Sequence, residues 1–277
     1  MNGRVLIVAG SDSGGGAGIQ ADIKTVTALD AFAATALTAL TAQNTLGVHA
    51  VQAVPLEFIA RQIEVVMTDI GADAIKTGML GDAAVIGTVC DALRRHAADI
   101  PIVVDPVMVA KGGHPLLAPE AVASLRQRLL PMAAVITPNL PEAEALAGMT
   151  IATVADMRLA ASALLSLGVP AVLLKGGHLP GDEVVDLLAT ANGIEAFSAP
   201  RIQTRHTHGT GCTMASALAA GLAQGMSLRD AVLRARAYVR AAIASAPGLG
   251  GGHGPLNHAV TVDIGRLGQA AHGRSGP

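Results

Sequence analysis

Residues 74–105 read AIKTGMLGDAAVIGTVCDALRRHAADIPIVVD. Short apolar runs at 74–77 and 102–105 predict buried strands, and the longer stretch between them, 83–96, predicts a helix. A buried strand, a helix and a second buried strand are typical of a parallel sheet covered on both faces. This stretch therefore predicts an α/β fold with a mostly parallel central sheet and helices on both faces.

The same alternation continues in both directions along the chain. Further strands are predicted at 5–9, 34–41, 48–54, 134–137 and 171–175, and an antiparallel hairpin at 183–188 and 194–199. Further helices are predicted at 17–29, 56–70, 119–130, 141–147, 154–167, 212–224 and 228–245. No repeat or linker-like segment interrupts the pattern, so we expect one domain over residues 1–265. The polar, Gly-rich residues 266–277 predict a disordered tail.

The composition excludes several classes of protein. Hydrophobic residues make up 51% of the chain and charged residues 14%, which is far from the composition of a disordered protein. The 19 basic and 21 acidic residues give a net charge of −2, so no basic surface for nucleic acid is expected. No apolar stretch approaches the ~18 residues of a membrane helix. With two distant cysteines and no signal-like start, we predict a cytoplasmic protein.

Polar or glycine-rich loops follow most of the predicted strands. They lie at 10–16, 76–79, 105–113, 137–139 and 175–178. In open α/β sheets the ligand binds beyond the carboxyl ends of the strands, so these loops are expected to surround the site.

The sequence His206-Thr-His-Gly-Thr-Gly-Cys212 directly precedes a helix of small residues. Gly209 and Gly211 allow the backbone to direct successive N–H groups at one point, and the helix N-terminus adds its positive dipole end. An anion is expected there, and the same field would favour a thiolate at Cys212. Alternatively, the glycines simply begin the helix and Cys212 is an inert core thiol.

Two further motifs place polar side chains at strand ends. Asn139 and Glu142 could reach a metal ion near a triphosphate, or they could cap the short helix that follows. Lys175, beside two glycines, suits contact with phosphate, although a solvated lysine before a turn is the commoner case.

The glycine-rich loop at residues 10–18 is not a P-loop, because no Gly-Lys-Ser/Thr ends it. It also lacks the acidic residue that a Rossmann fingerprint requires about 20 positions later. We interpret the loop as a wall around a small substrate, with Gly10, Ala17 and Asp22 as contacts. Gln43 could present its amide to the edge of a heterocycle, or it could bond loop backbone instead.

Taken together, these motifs resemble the hydroxymethylpyrimidine/phosphomethylpyrimidine kinases along nearly the whole chain. The stretches that carry the resemblance are Ala9-Gly-Ser-Asp-Ser-Gly-Gly-Gly-Ala-Gly-Ile-Gln-Ala-Asp-Ile-Lys24, Thr41-Ala-Gln-Asn-Thr45, Lys76-Thr-Gly-Met-Leu80, Asp105-Pro-Val-Met108, Ile136-Thr-Pro-Asn-Leu-Pro-Glu-Ala143, Leu174-Lys-Gly-Gly-His178, Thr207-His-Gly-Thr-Gly-Cys212 and Gly252-His-Gly-Pro-Leu-Asn-His258. Two departures fall in loops. Gly14 replaces a more usual Ser, and Lys111-Gly-Gly-His114 replaces a Ser-Gly-Asp pattern.

This resemblance implies a ribokinase-like three-layer sandwich, a homodimer and Mg²⁺ with ATP as co-substrate. It implies that Gln43 binds an aminopyrimidine edge in a pocket lined by Met79 and Val107. The anion hole would consist of Gly209, Thr210 and Gly211, and Cys212 would stand where most relatives of this fold carry an Asp base. The groups expected at ATP are Asn139, Lys175, Thr207 and His208, and those expected at the metal are Glu142, through water, and Asp105.

The predicted reaction is phosphorylation of hydroxymethylpyrimidine and of its monophosphate for thiamine synthesis. Pyridoxal kinase is the nearest alternative, because that activity occurs on the same fold. A hydrolase or acyl transferase with Cys212 as nucleophile would need an oriented His base, for which no partner is identifiable. A non-catalytic binding protein is disfavoured because Lys175, Glu142 and Cys212 are all intact.

Overall fold

The structure is a computed structural model, and it describes residues 1–110, 113–114, 116–118, 120–263 and 265. Within these residues the strands are β1 (Arg4–Ala9), β2 (Phe32–Leu37), β3 (Ala39–Asn44), β4 (Gly47–Ala53), β5 (Ala74–Thr77), β6 (Ile102–Val104), β7 (Val135–Ile136), β8 (Ala171–Leu174), β9 (Glu183–Thr190) and β10 (Gly193–Pro200). The helices are α1 (Gly18–Ala28), α2 (Leu56–Asp69), α3 (Ala83–His96), α4 (Ala121–Ser124), α5 (Leu140–Ala147), α6 (Val154–Leu165), α7 (Thr210–Ala223) and α8 (Leu228–Ala244). Helix α4 continues as a π turn and a 3-10 turn to Met132.

Eight strands form one sheet in the order β10-β9-β8-β7-β6-β5-β1-β2. Six of them, β2, β1, β5, β6, β7 and β8, pair in parallel, and β9 and β10 add an antiparallel edge. Strands β3 and β4 form a separate antiparallel hairpin. The predicted mostly parallel sheet is therefore confirmed.

Helices cover both faces of this sheet because its strands are apolar on both sides. In β1, Leu6 and Val8 face a core completed by α2 to α6, whereas Val5 and Ile7 face a second core completed by α1, α7 and α8. Successive side chains of a strand point to opposite faces, so a fully apolar strand needs a helical layer on each side.

One predicted strand, 34–41, is divided in the structure. The main sheet ends at Leu37, and Ala39 begins the hairpin strand β3. Between them, the N–H of Thr38 donates to the carbonyl of Ala9 and its hydroxyl donates to the carbonyl of Met79. The chain thus leaves the sheet at the carboxyl ends of β1 and β5, and the hairpin stands beside the loops that follow these strands.

The remaining differences concern helix ends and residues without a description. The predicted helix 119–130 is α4 with its π turn, and Pro119 lies outside the described residues. The predicted disordered tail, residues 266–277, also lies outside them, as do Lys111 and Gly112 of the divergent loop. Within the described part of the chain, no helix has the combination of length and apolarity that crossing a bilayer requires.

Candidate active site

A cleft of about 900 Å³ opens at the carboxyl ends of the parallel strands. The predicted site residues that line it are Gly10, Ala17, Gln43, Met79, Asp105, Val107, Asn139, Glu142, Lys175, Thr207, His208, Gly209, Thr210, Gly211 and Cys212. These residues come from loops, from the first turns of α5 and α7 and from strand β3. The cleft therefore lies where the strand-end pattern predicts it.

The N-terminus of α7 has the geometry of an anion site. Gly209 is its N-cap, with φ of +84°, and no side chain caps the first turn. A Cβ at Gly209 would lie 1.8 Å from the carbonyl oxygen of Gly16, so only glycine fits. A Cβ at Gly211 would lie 3.1 Å from Nζ of Lys175. The N–H of Thr210 donates to the carbonyl of Thr207 at 3.3 Å, whereas the N–H of Gly211 and the ammonium of Lys175 face the same space, and a phosphate fits their charge.

Lys175 follows β8 and makes an ion pair of 3.0 Å with Asp105, which follows β6. The same carboxylate oxygen of Asp105 accepts a hydrogen bond from the hydroxyl group of Thr137. Both charged side chains are largely buried, at 12% and 2% exposure. The pair holds the ammonium at the floor of the cleft, where a phosphate can approach it.

Asn139 and Glu142 serve as a helix cap and also line the cleft. The side-chain oxygen of Asn139 accepts from the N–H of Glu142 at 2.9 Å, and a Glu142 oxygen accepts from the N–H of Asn139 at 2.7 Å. Burial raises the pKa of Glu142 to about 7, although Lys175 opposes the rise. The two alternatives considered for this motif are therefore compatible, because the capping box fixes the carboxyl group in the cleft wall.

The acidic groups near Lys175 are suited to a Mg²⁺ ion shared with a nucleotide, not to a closed metal site. Asp105 and Glu142 supply two carboxylates beside the phosphate-sized space. Among the described residues, no cluster of three or more His, Cys, Asp or Glu side chains could hold a metal. Mg²⁺ binds few protein carboxylates and takes its other ligands from phosphate and water, so the residues present fit that ion.

Cys212 lies in the first turn of α7 and lines the cleft, but its side chain is not the expected thiolate. Burial raises the pKa of Cys212 to about 12, despite the charge of Lys76 and the N–H of Gly18. The expected thiolate is thus not supported. Helix-terminal N–H groups and a buried cation favour the thiolate, but the loss of hydration outweighs both.

Asp22, predicted to contact the substrate, does not line the cleft. Its side chain is completely buried, with one oxygen 2.8 Å from Nζ of Lys76 and the other accepting from Ser216 at 2.7 Å. The charge of Asp22 raises the pKa of Lys76, although burial opposes the rise. Lys76 itself lines the cleft. Asp22 can therefore act on a ligand only through Lys76, because its own oxygens are both bonded inside the protein.

The end of the cleft near the hairpin has the shape of a small-heterocycle pocket. Gly10 lies so close to Met79 that a Cβ would be 2.2 Å from the Met79 methyl carbon. Gln43, on β3, places its amide between the hydroxyl of Thr41 and the ring of His208. Ala17 and Val107 add apolar walls. A flat ring with one polar edge would match these surroundings.

Several cleft residues were not predicted from the sequence, and among the charged ones are Asp12, Lys76, Asp186 and Arg236. Asp12 and Lys76 lie in motifs that were interpreted through their glycines alone. Asp186 and Arg236 form an ion pair of 2.8 Å farther along the cleft. Lys76 and Asp12 could have been identified from the sequence, because a lysine within a buried strand and an aspartate within a glycine-rich loop both need bonded partners. Asp186 also accepts the N–H of Gly176. The sequence does not show such a long-range pairing.

A sequence model of the family described as phosphomethylpyrimidine kinase matches residues 12–257. The hydroxymethylpyrimidine/phosphomethylpyrimidine kinase of Bacillus subtilis is 49% identical over 92% of this chain and 94% of its own length. The chain belongs to the phosphomethylpyrimidine kinase family. The thiamine biosynthesis bifunctional protein ThiED of Geobacter sulfurreducens is 52% identical over 94% of the chain, which spans only 53% of that relative.

Solved structures confirm the ribokinase-like fold. The pyridoxal kinase of Staphylococcus aureus, in complex with AMP-PCP and pyridoxal, has a TM-score of 0.87 and 36% identity, over 95% of this chain and 96% of that one. The phosphomethylpyrimidine kinase of Clostridium difficile 630 has a TM-score of 0.76 and 41% identity, over 86% of this chain and 97% of that one. The prediction of a phosphotransferase of this family is confirmed.

Proposed function

We propose that this kinase transfers the γ-phosphoryl group of ATP to hydroxymethylpyrimidine and then to its monophosphate, in thiamine biosynthesis. The family match and the names of the relatives support this substrate. The cleft supports it chemically, because it combines a heterocycle pocket with an anion site.

The observation that carries the proposal is the uncapped N-terminus of α7 facing Lys175. Phosphoryl transfer needs groups that neutralise charge on the equatorial oxygens, and backbone N–H groups with a lysine do this without reorganisation. We assign the anion hole to Gly209, Thr210 and Gly211. Lys175, held by Asp105, contacts the transferring phosphate.

Asn139 and Thr207 are proposed near ATP, because both line the cleft. The ring of His208, also expected at ATP, instead bonds Asp12 and faces Gln43 at the hairpin end of the cleft. Bound Mg²⁺ would supply positive charge between the phosphates. Asp105 and, through water, Glu142 would hold it. The apolar side chains of Met214, Val239 and Ile243 line the same cleft and offer a surface for adenine.

Cys212 is proposed to orient the attacking hydroxyl group and not to act as a preformed thiolate base. Its pKa, raised to about 12 by burial, keeps it protonated at neutral pH. Because the transition state is loose, the hydroxyl needs little help with its proton before bond formation. Cys212→Ala is accordingly expected to lower turnover strongly while nucleotide binding persists.

Pyridoxal is a second candidate substrate, and one observation favours it. The fold similarity to pyridoxal kinase, with a TM-score of 0.87, exceeds the 0.76 found for a phosphomethylpyrimidine kinase. Pyridoxal is also a flat heterocycle with a hydroxymethyl group. The polar edge that it would present to Gln43 is different.

The test is ADP release by the purified protein with Mg²⁺ and ATP, with each of the three substrates alone. Turnover of hydroxymethylpyrimidine and its monophosphate supports the proposal. Turnover of pyridoxal alone would replace it with the second candidate. Lys175→Met, which keeps an unbranched side chain of similar size and removes the charge, should lose activity with every substrate.

A homodimer is proposed from the exposed apolar surface around the hairpin. Leu40 and Val51 of the hairpin and Phe58 of α2 are 46%, 48% and 58% exposed. Such side chains on neighbouring elements are typical of an interface. Light scattering coupled to gel filtration would give twice the mass of the chain, and Phe58→Asp should shift it toward the monomer. The cytoplasmic location stays a prediction from the sequence.

A further inference from the structure

A buried aspartate in the glycine-rich loop connects that loop to the segment before α7. Asp12 is 1% exposed. Its carboxylate accepts the N–H groups of Gly14, Gly16 and Ala17 at 2.8, 3.1 and 2.8 Å. One of its oxygens also lies 2.8 Å from Nε2 of His208. Burial opposes ionisation, but the bonds from His208 and Ala17 lower the pKa of Asp12. Asp12 is therefore an ionised group that can only accept hydrogen bonds.

The ionised Asp12 determines where His208 carries its proton. A neutral imidazole has one donor and one acceptor nitrogen, and an acceptor at Nε2 would place two lone pairs 2.8 Å apart. The hydrogen must therefore lie on Nε2 and point toward Asp12. Gln43 faces the same nitrogen at 3.4 Å, so it can share that hydrogen only as the longer arm of a three-centre bond.

The structure places the amide nitrogen of Gln43 3.4 Å from Nε2 of His208 and the amide oxygen 3.3 Å from the hydroxyl oxygen of Thr41, but the two ends of an amide are assigned from their hydrogen-bond partners. The Thr41 hydroxyl donates its hydrogen bond to the carbonyl of Ser11 at 2.9 Å, so it presents a lone pair to Gln43. With the amide nitrogen beside His208, its hydrogens would face the N–H of Nε2, and the amide oxygen would face a lone pair of Thr41. With the nitrogen beside Thr41, the amide donates to the hydroxyl lone pair, and the oxygen beside His208 takes the longer arm of the hydrogen on Nε2.

We propose that Asp12, His208 and Thr41 are positioning residues that fix the Gln43 amide with its oxygen on the His208 side. This inference rests on the proposed function, because its consequence concerns the pyrimidine. Along the edge of the substrate stand a ring nitrogen acceptor, the amino donor and then the hydroxymethyl group. The amide oxygen accepts from the amino group, and its nitrogen donates to the ring nitrogen.

This orientation directs the reacting group toward the anion hole. The hydroxymethyl group lies next to the amino group, and so on the His208 side of the pocket. His208 directly precedes Gly209, the N-cap of α7. With its oxygen and nitrogen exchanged, the amide would instead match a ring whose donor and acceptor are exchanged. The positioning residues thus join recognition of the amino group to placement of the nucleophile.

The 4-oxo analogue of the substrate tests this inference. In its N3–H form it presents a ring donor and a carbonyl acceptor, the reverse of the 4-amino compound. A pocket that fixes the amide should prefer the amino compound by about 100-fold or more in kcat/KM, since mismatched buried groups lose their hydrogen bonds.

The experiment measures kcat/KM for both compounds with the wild type, Thr41→Val and His208→Phe. Both variants free the amide, so the preference should fall at least tenfold, through KM for the pyrimidine, with KM for ATP unchanged. Thr41→Val has the same shape as the wild type and carries the test if His208→Phe does not fold. His96→Asn, at the end of α3 and away from the cleft, is the control.

Equal losses on both compounds, with the preference unchanged, would show a merely structural role and overturn the inference. A rise in KM for ATP alone in His208→Phe would also contradict it. If the wild type phosphorylates the amino compound, the proposed function stands whatever the variants do. If the wild type phosphorylates neither compound, the proposed function fails and this inference fails with it.

Discussion

Single residues in this cleft are governed by burial more than by their immediate neighbours. Cys212 is the clearest case, because its place at a helix N-terminus predicts a thiolate, yet burial raises its pKa to about 12. Glu142 behaves in the same way, with a pKa raised to about 7. The charged form of each group loses hydration that nearby cations do not fully replace.

The thiol of Cys212 should therefore react slowly with iodoacetamide at neutral pH. The rate is expected to climb steadily from pH 7 to 10 without a plateau, because the thiolate is the reactive species. Mass spectrometry of the alkylated peptide in a Cys90→Ala background measures it, since Cys90 is the second free thiol. A plateau below pH 8 would restore the thiolate assignment.

Glu142→Gln should change how stability depends on pH. The folded-state pKa of about 7 lies above the reference value of 4.5, so the folded protein holds a proton that the unfolded chain loses. Relative to Glu142→Gln, the wild type should lose stability as pH rises from 4.5 to 7, by up to about 3 kcal/mol. Urea unfolding of both proteins across this range measures it. Parallel stability curves would contradict the raised pKa.

Asp22→Asn should destabilise the fold, because it leaves the ammonium of Lys76 buried without its charged partner. The expected loss is about 3–5 kcal/mol in unfolding free energy, measured by urea denaturation. Glu64→Gln, which breaks the exposed pair with Arg61, is the control and should cost far less. Similar losses in the two variants would mean that Asp22 does not serve as the counter-ion.

At the scale of elements, two helices present N-termini without a side-chain cap to the cleft. Helices α3, α5, α6 and α8 are capped by the side chains of Asp82, Asn139, Thr153 and Ser227. Helices α1 and α7, whose N-terminal residues line the cleft, have no side-chain cap. Loop carbonyls accept some of their first N–H groups, with Ile19 donating to Gly10 and Thr210 to Thr207, and the N–H of Gly211 stays available for a ligand.

Gly209→Ala tests this use of α7. The added Cβ would lie 1.8 Å from the carbonyl oxygen of Gly16, so the two loops must separate and the anion hole must distort. We expect kcat to fall about 100-fold or more, as when one donor of an oxyanion hole is removed. Gly225→Ala, also at positive φ but with open space around it, is the control. Equal kcat in the two variants would contradict the assignment.

At the scale of the whole molecule, local patterns predicted the sheet and the position of the cleft. Strand β5 and helix α3 have the predicted bounds because apolar periodicity and the Asp82 cap are local signals. The break at Thr38 was not predictable, since it depends on bonds to Ala9 and Met79. The Asp22–Lys76 pair joins residues 54 positions apart, which one sequence cannot reveal.

The molecule as a whole is proposed to carry one pyrimidine through two phosphorylations. The most direct test is the stoichiometry of the reaction, with products separated by chromatography after exhaustion of a limiting amount of hydroxymethylpyrimidine. Two ADP should be released for each pyrimidine, with the monophosphate appearing first and the diphosphate as the final product. One ADP and a stable monophosphate would contradict the second step, and no ADP would contradict the function.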